Sequence, residues 1–297
     1  MSVSLKRSLC AGSAAVLAVV LAACGGSDSS STATDGSGNS PVGSYGDCKI
    51  TSKPNTIDIK PVKSGTLTVE TTLPAQGWWN GTTPESIKSG YEYCMAAELA
   101  NMAGLPSVTV KNVSFAQLVA GHTSDFDLAL AEITITDERA KVVDFSTSYF
   151  DSNIGVLVKS DSDITEDNIK DHKLSAYSGT TSVDFLKNEM GVNPTIFPNS
   201  QTLYQGVISG QVDAAFLDTA IVLAEAKASN GTLKVVGQYN TGEKYGAIFP
   251  KGSSNEDEFN KGIQTLIDDG TLDRLSKTYL GPAFGGDPNS VPVWTVK

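Results

Sequence analysis

Asp127 to Ser146 reads DLALAEITITDERAKVVDFS. An apolar run, Leu128 to Ala131, gives way to polar residues; a Thr-x-Thr turn follows, and then one helical turn that carries Arg139. A strand end that passes into hydroxyls and a guanidinium suits the capture of a small anion such as a carboxylate. The planar fork of Arg139 matches a carboxylate bidentately, and Thr134 and Thr136 add hydroxyl donors. The same spacing also fits a surface Arg139 paired with Asp137 or Glu138, an arrangement that contributes little. Metal chemistry has no comparable support. Cys48, Cys94, His122 and His172 show no ligand spacing, and both histidines sit beside polar turn residues.

The elements that would position Arg139 alternate. Period-2 and β-rich stretches predict strands over 65–73, 107–113, 127–131, 153–159, 174–177, 213–217, 233–236 and 245–249. Between them, helical patterns cover 91–103 (read as amphipathic), 115–120, 165–169, 182–190, 202–209, 219–228, 257–268 and 272–279. Strands alternating with helices define an α/β protein with mixed, mostly parallel sheets.

The N-terminus carries an export pattern. Lys6 and Arg7 precede an apolar run, 9–23, that is short for a membrane span and is followed by polar residues, so 1–23 is expected to be a signal peptide. The run closes on Leu21-Ala22-Ala23-Cys24-Gly25, which looks like a bacterial lipobox and implies lipidation at Cys24. Residues 24–47 are dominated by Ser, Gly, Thr, Asp and Asn; such a segment reads as a flexible tether with a reach of roughly 25 Å. The chain carries 22 basic and 33 acidic residues, net −11. Loss of Lys6 and Arg7 with the signal leaves 20 against 33, near −13. Such acidity argues against nucleic acid and against electrostatic docking on anionic lipid, so lipid would be the anchor. With Cys10 in the signal and Cys24 lipidated, Cys48 and Cys94 remain, either as one disulfide or as two separate thiols.

ITITDER followed by VDFS resembles the signature of the family 3 extracellular solute-binding proteins, the polar amino-acid receptors of ABC importers, and the glutamine-binding branch most of all. The resemblance runs from about Gly65 to Gly281. It implies a two-lobe fold with a two-strand hinge near 153–158 and 245–249. Lobe 1 would be 65–152 plus 245–281 and lobe 2 would be 153–244, with an N-terminal extension at 48–64 and a tail at 282–297. It also implies a site. Arg139 and Thr134 match the carboxylate-binding positions, and the turn Tyr177-Ser178-Gly179-Thr180-Thr181 matches the turn that presents a helix N-terminus to the same group. Thr181 also reads as a helix N-cap with Asp184 three residues on. Asp218 matches the acidic partner of the ligand ammonium, or caps the helix that starts at Thr219. Phe115 matches an aromatic shelf, or is a core Phe. Trp78 or Trp79 is expected to stack on the ligand, because two adjacent Trp in a Gly/Asn-flanked loop should leave one pointing outward.

Glu132 departs from the family pattern, which has Gly or Ser there. A carboxylate at the pocket wall needs a partner, either Arg139 or a cationic ligand side chain. The expected protein is a monomeric, lipid-anchored, extracytoplasmic receptor that binds without turnover and needs no cofactor, with an ABC permease as its partner. The competing readings are a cyclohexadienyl-dehydratase-like enzyme with Glu132 as general acid, and a tethered ligand sensor.

Overall fold

The computed structural model describes residues 40–297. The expected signal peptide, Cys24 and the first part of the tether lie outside the described residues.

Strand β1 (Leu67–Thr71) is buried along its whole length, as a central strand covered on both faces must be. Helix α1 (Tyr91–Met102) returns the chain to β2 (Val108–Asn112), and α2 (Phe115–Val119) leads to β3 (Leu128–Ala129) on the other side of β1. After β4 (Val143–Phe145) the chain leaves through β5 (Phe150–Lys159). The second lobe then adds β6 (Leu174–Tyr177), α3 (Thr181–Asp184), β7 (Thr195–Phe197), α4 (Ser200–Ser209), β8 (Ala214–Asp218), α5 (Thr219–Ala228) and β9 (Leu233–Tyr245). The return to the first lobe is made by β10 (Ile248–Pro250), antiparallel to both β3 and β4. Helices α6 (Glu256–Asp268), α7 (Thr271–Leu275) and α8 (Gly281–Phe284) precede β11 (Val293–Trp294). The two sheets have the orders β2-β1-β3-β10-β4 and β11-β9-β5-β8-β6-β7. Their link is the β5–β9 pair, which runs from Phe150 opposite Tyr245 to Lys159 opposite Leu233 with register shifts between Ser152 and Ile154 and between Val156 and Leu157.

Aromatic rings fill the junction. Phe150 stacks on Tyr245 at 5.5 Å, and Trp78 meets Tyr91, Phe150 and Tyr245 edge-on at 5.3, 4.9 and 5.7 Å. Edge-to-face and offset pairs at these separations are favoured by the ring quadrupoles.

Helix α1 is not the amphipathic helix its pattern predicts; all twelve of its residues are buried. Its outer face is covered by residues ahead of β1. Glu98 accepts from the backbone N–H groups of Thr51 (3.0 Å) and Ser52 (2.9 Å) and pairs with Arg274 at 2.9 Å. The expectation of a coil fails for 40–47 as well. Val42 N–H donates to Asn101 Oδ1 at 3.0 Å, and the buried Tyr45 donates its hydroxyl to Leu105 O at 2.6 Å. Ser/Gly composition reads as coil, but one aromatic ring and a few backbone donors suffice to dock the segment where α1 offers acceptors. Cys48 and Cys94 are joined, with a Cα–Cα distance of 5.4 Å.

Other departures are local. The strand expected to stop at 236 continues to Tyr245, because the ladder to β5 carries it past the buried Gln238 and Tyr239 into a polar stretch, 240–244, that breaks the apolar pattern. Strands β4 and β7, three residues each, are too short to leave a pattern. No helix forms over 165–169; a 3-10 turn, Ile169–Asp171, stands there. In the tail, Trp294 is buried on β11 alongside β9, and Gly237 makes room for it: a Cβ at Gly237 would lie 2.2 Å from the indole.

The disulfide closes a long loop, its cysteines 46 residues apart. Chain-entropy arguments give a stabilisation of about 4 kcal/mol for such a loop. Cys48→Ser with Cys94→Ser is therefore expected to lower the unfolding free energy by about 2–4 kcal/mol in urea titrations, and to remove any further effect of reductant.

Candidate functional site

Both lobes contribute to one cavity of about 290 Å³. It is a size that suits a single small molecule. From the first lobe come Trp78, Phe115, Glu132, Thr134 and Arg139; from the second come Tyr177, Thr180, Thr181 and Asp218. Those nine were expected from the sequence. Ser178 and Trp79 do not line the cavity. The Ser178 backbone N–H bonds Phe197 O at 2.9 Å, so residue 178 extends the β6–β7 pairing. Trp79 is fully buried and donates its indole N–H to Glu92 Oε2 at 2.7 Å. The expectation that one Trp must point outward is thus overturned: Trp78 packs among the junction rings, Trp79 into the core behind the cavity.

Arg139 is buried and bridges the lobes. Its Nη1 donates to Thr134 O at 2.5 Å and its Nη2 to Gly179 O, across the cleft, at 2.9 Å. The guanidinium lies 5.5 Å above the Phe115 ring, a cation–π contact. Phe115 in turn meets Tyr177 of the second lobe at 5.6 Å. Gly179, at φ +85, lets this approach happen; a Cβ there would sit 3.1 Å from Ala116 Cα. The lobes are closed on one another. With five donors in its fork and two spent on carbonyls, Arg139 keeps donors for a carboxylate.

Asp218, 4 % exposed, accepts from Tyr245 Oη at 2.6 Å and from Ser152 Oγ at 3.4 Å. Asp218 occupies the cap position of α5, but its side chain makes no capping bond. The cap reading of Thr181 also fails: Thr180 holds that position, and its hydroxyl donates to Tyr177 O at 2.7 Å. Both results leave Asp218 and Thr181 turned to other partners.

Glu132 makes no ion pair with Arg139. Its backbone lies in the left-handed region at φ +50, where a side chain is strained. Its N–H donates to Glu92 Oε1 at 3.0 Å, which sets the two buried glutamates side by side. Glu92, on the first turn of α1, is fully buried and further accepts from Trp79 and from the Tyr149 hydroxyl. Burial, then the neighbouring Glu92, hold Glu132 well above the usual carboxylate range; burial also raises Glu92, against the bonds from Tyr149, the Glu132 N–H and Trp79. Burial beside a second carboxyl favours the neutral form of one of the two. Among the described residues, Glu132 Oε1 and Trp78 Nε1 are buried without a partner, and both residues line the cavity.

Sequence reasoning missed Glu92, Glu225 and Glu243. Glu92 sits in a helix that reads as ordinary, Glu225 in the second turn of α5 on the cavity wall, and Glu243 in the polar stretch of β9. Burial pushes Glu243 up to about 7, with Asp218 adding to the rise and Thr181, Arg139 and Thr134 opposing it.

A two-lobed α/β fold closed over a cavity that carries a guanidinium on one lobe and a carboxylate on the other defines a small-molecule binding protein. The chain belongs to the bacterial extracellular solute-binding proteins, family 3, whose model matches residues 81–282. It is 32 % identical over 200 residues to the L-cystine-binding protein TcyJ of Escherichia coli (strain K12), a match covering 65 % of this chain and 74 % of that one. Among solved structures, an ancestral arginine-binding protein bound to arginine is 30 % identical with a TM-score of 0.64, covering 72 % of this chain and 98 % of that one. The ancestral amino acid-binding protein AncCDT-1, a precursor of cyclohexadienyl dehydratase, is 28 % identical with a TM-score of 0.63, covering 73 % and 95 %.

Glu92, Glu132, Asp218 and Glu243 all have raised folded-state values. The folded form therefore holds more protons than the unfolded chain between the ordinary carboxylate range and the raised values, so stability is lost as pH climbs through that window. The ligand-free protein is expected to resist urea better at pH 5 than at pH 8, with the change extending through the region near 7 where Glu243 titrates. A midpoint that is flat or rises with pH would contradict the buried-carboxyl assignment.

Proposed function

We propose that this protein captures one α-amino acid between its lobes and presents the closed form to the permease of an ABC importer, as a monomer held outside the cell membrane by lipid on Cys24. The observation that carries this reading is Arg139 and Asp218 facing one closed cavity from opposite lobes. An amino acid offers a carboxylate and an ammonium a few ångströms apart, and these two side chains supply the complements. Arg139 takes the carboxylate with help from the Thr134 and Thr181 hydroxyls. Asp218, held by Tyr245 and Ser152, takes the ammonium. Phe115, Trp78 and Tyr177 wall the space between, and Thr180 fixes the turn. Cystine and arginine, named for two of the relatives, share the amino-acid group that this pair fits.

The precursor of a dehydratase among the relatives motivates a second reading, with Glu132 as a general acid. Against it, Arg139 and Asp218 supply both complements of an amino acid, and the similar TcyJ is named for binding L-cystine. Binding without turnover is the better supported of the two.

A thermal-shift screen of the purified protein against the natural amino acids tests the reading. A ligand at 100 times its Kd adds about 2.7 kcal/mol to the native state. Arg139→Ala is expected to weaken the best ligand by about 3–5 kcal/mol. A flat screen, or an Arg139→Ala protein that binds as well as the parent, would refute the site.

A further inference from the structure

The amino-acid reading leaves charge on the cavity wall unaccounted for. Arg139 and Asp218 are consumed by the ligand's carboxylate and ammonium. Two carboxyl groups remain on the lining, Glu132 and Glu225, and among the described residues Arg139 is the sole cation there. Glu225 has no charged or hydrogen-bonding side-chain partner among the described residues; burial alone raises it. Glu132 is more demanding. It is 9 % exposed, lines the cavity, and its Oε1 has no partner among the described residues. It also sits in a strained backbone conformation at φ +50 that a glycine would adopt freely.

Resting on the amino-acid reading, we propose that the cleft selects amino acids with a second, side-chain cation, and that Glu132 receives that cation by releasing a proton to solvent. In the free protein Glu132 is the protonated member of its pair and Glu92 the anion, stabilised by Trp79 and Tyr149. An arriving ammonium or guanidinium replaces the proton as counter-charge: ligand cation plus Glu132 acid give the ion pair plus one proton in solution. The groups facing Glu132 are Glu92 on α1, Tyr149 ahead of β5, Tyr177 on β6, Tyr204 on α4, Asp218 on β8 and Tyr245 at the end of β9. None of these is a cation, and Arg139, the one cation on the lining among the described residues, makes no ion pair with Glu132. Cystine also brings a second ammonium, but with it comes a second carboxylate that would meet no second cation on the lining, so arginine, lysine and ornithine suit this wall better.

Calorimetric titration of the purified protein with arginine, lysine, ornithine, glutamine and cystine, in two buffers of different ionisation enthalpy at pH 7, tests this. The expected result is tightest binding by one of the three cationic amino acids, with release of close to one proton. Glu132→Gln should abolish the release and weaken that ligand at least about thirtyfold, with glutamine no weaker than before. Tightest binding by glutamine or cystine, or cationic binding with no proton released by the unaltered protein, would overturn the proposal and leave the amino-acid reading standing. Failure of every amino acid to bind would instead overturn that reading. The proton count is made on the parent protein, so it does not depend on the variant folding.

Discussion

A carboxylate buried in protein must find donors or keep its proton, and much of this molecule is arranged around one that finds three donors. Glu92 lies on the first turn of α1, the end of a helix that favours negative charge. It collects the Trp79 indole, the Tyr149 hydroxyl and the Glu132 N–H. Those three bonds tie the loop before α1, the segment that enters β5 and the wall of the cavity to one atom pair. The positive φ of Glu132 is the local cost of presenting its carboxyl both to Glu92 and to the cavity.

The site and the junction between the lobes share atoms. Tyr245 closes β9, stacks on Phe150 at the start of β5, and donates to Asp218. Arg139 stands in the first lobe and bonds a carbonyl in the second. Groups that would recognise an amino acid are thus also groups that define the closed arrangement. A ligand that satisfies Arg139 and Asp218 together stabilises closure by its differential affinity for the closed form. Such coupling is what a receptor that must signal occupancy to a permease requires.

The fold class was legible because the strand–helix alternation is regular and its apolar runs are central strands. The Arg139 segment was legible because hydroxyls and a guanidinium follow a strand directly. Trp78 and Trp79 were misread on a local argument: adjacency suggests opposite sides, but the loop bends so that both enter the core, where Tyr91, Phe150, Tyr245 and Glu92 await them. Residues 40–47 were misread by composition, since α1 supplies acceptors that no local pattern announces. Glu92 was invisible for a different reason. A Glu at the start of a helix is ordinary, and only the tertiary meeting with Glu132, 40 positions away, makes it a partner in the site.

The central claim is that the Glu92–Glu132 pair keeps one proton in the free protein and yields it to a cationic ligand. Carbon-13 NMR of the glutamate side-chain carboxyls, followed from pH 4 to pH 9, reads that proton directly. The account predicts a carboxyl still protonated at pH 7, absent from Glu132→Gln, that ionises when the cationic amino acid is added. Complete ionisation of every glutamate by pH 6 in the free protein would contradict it.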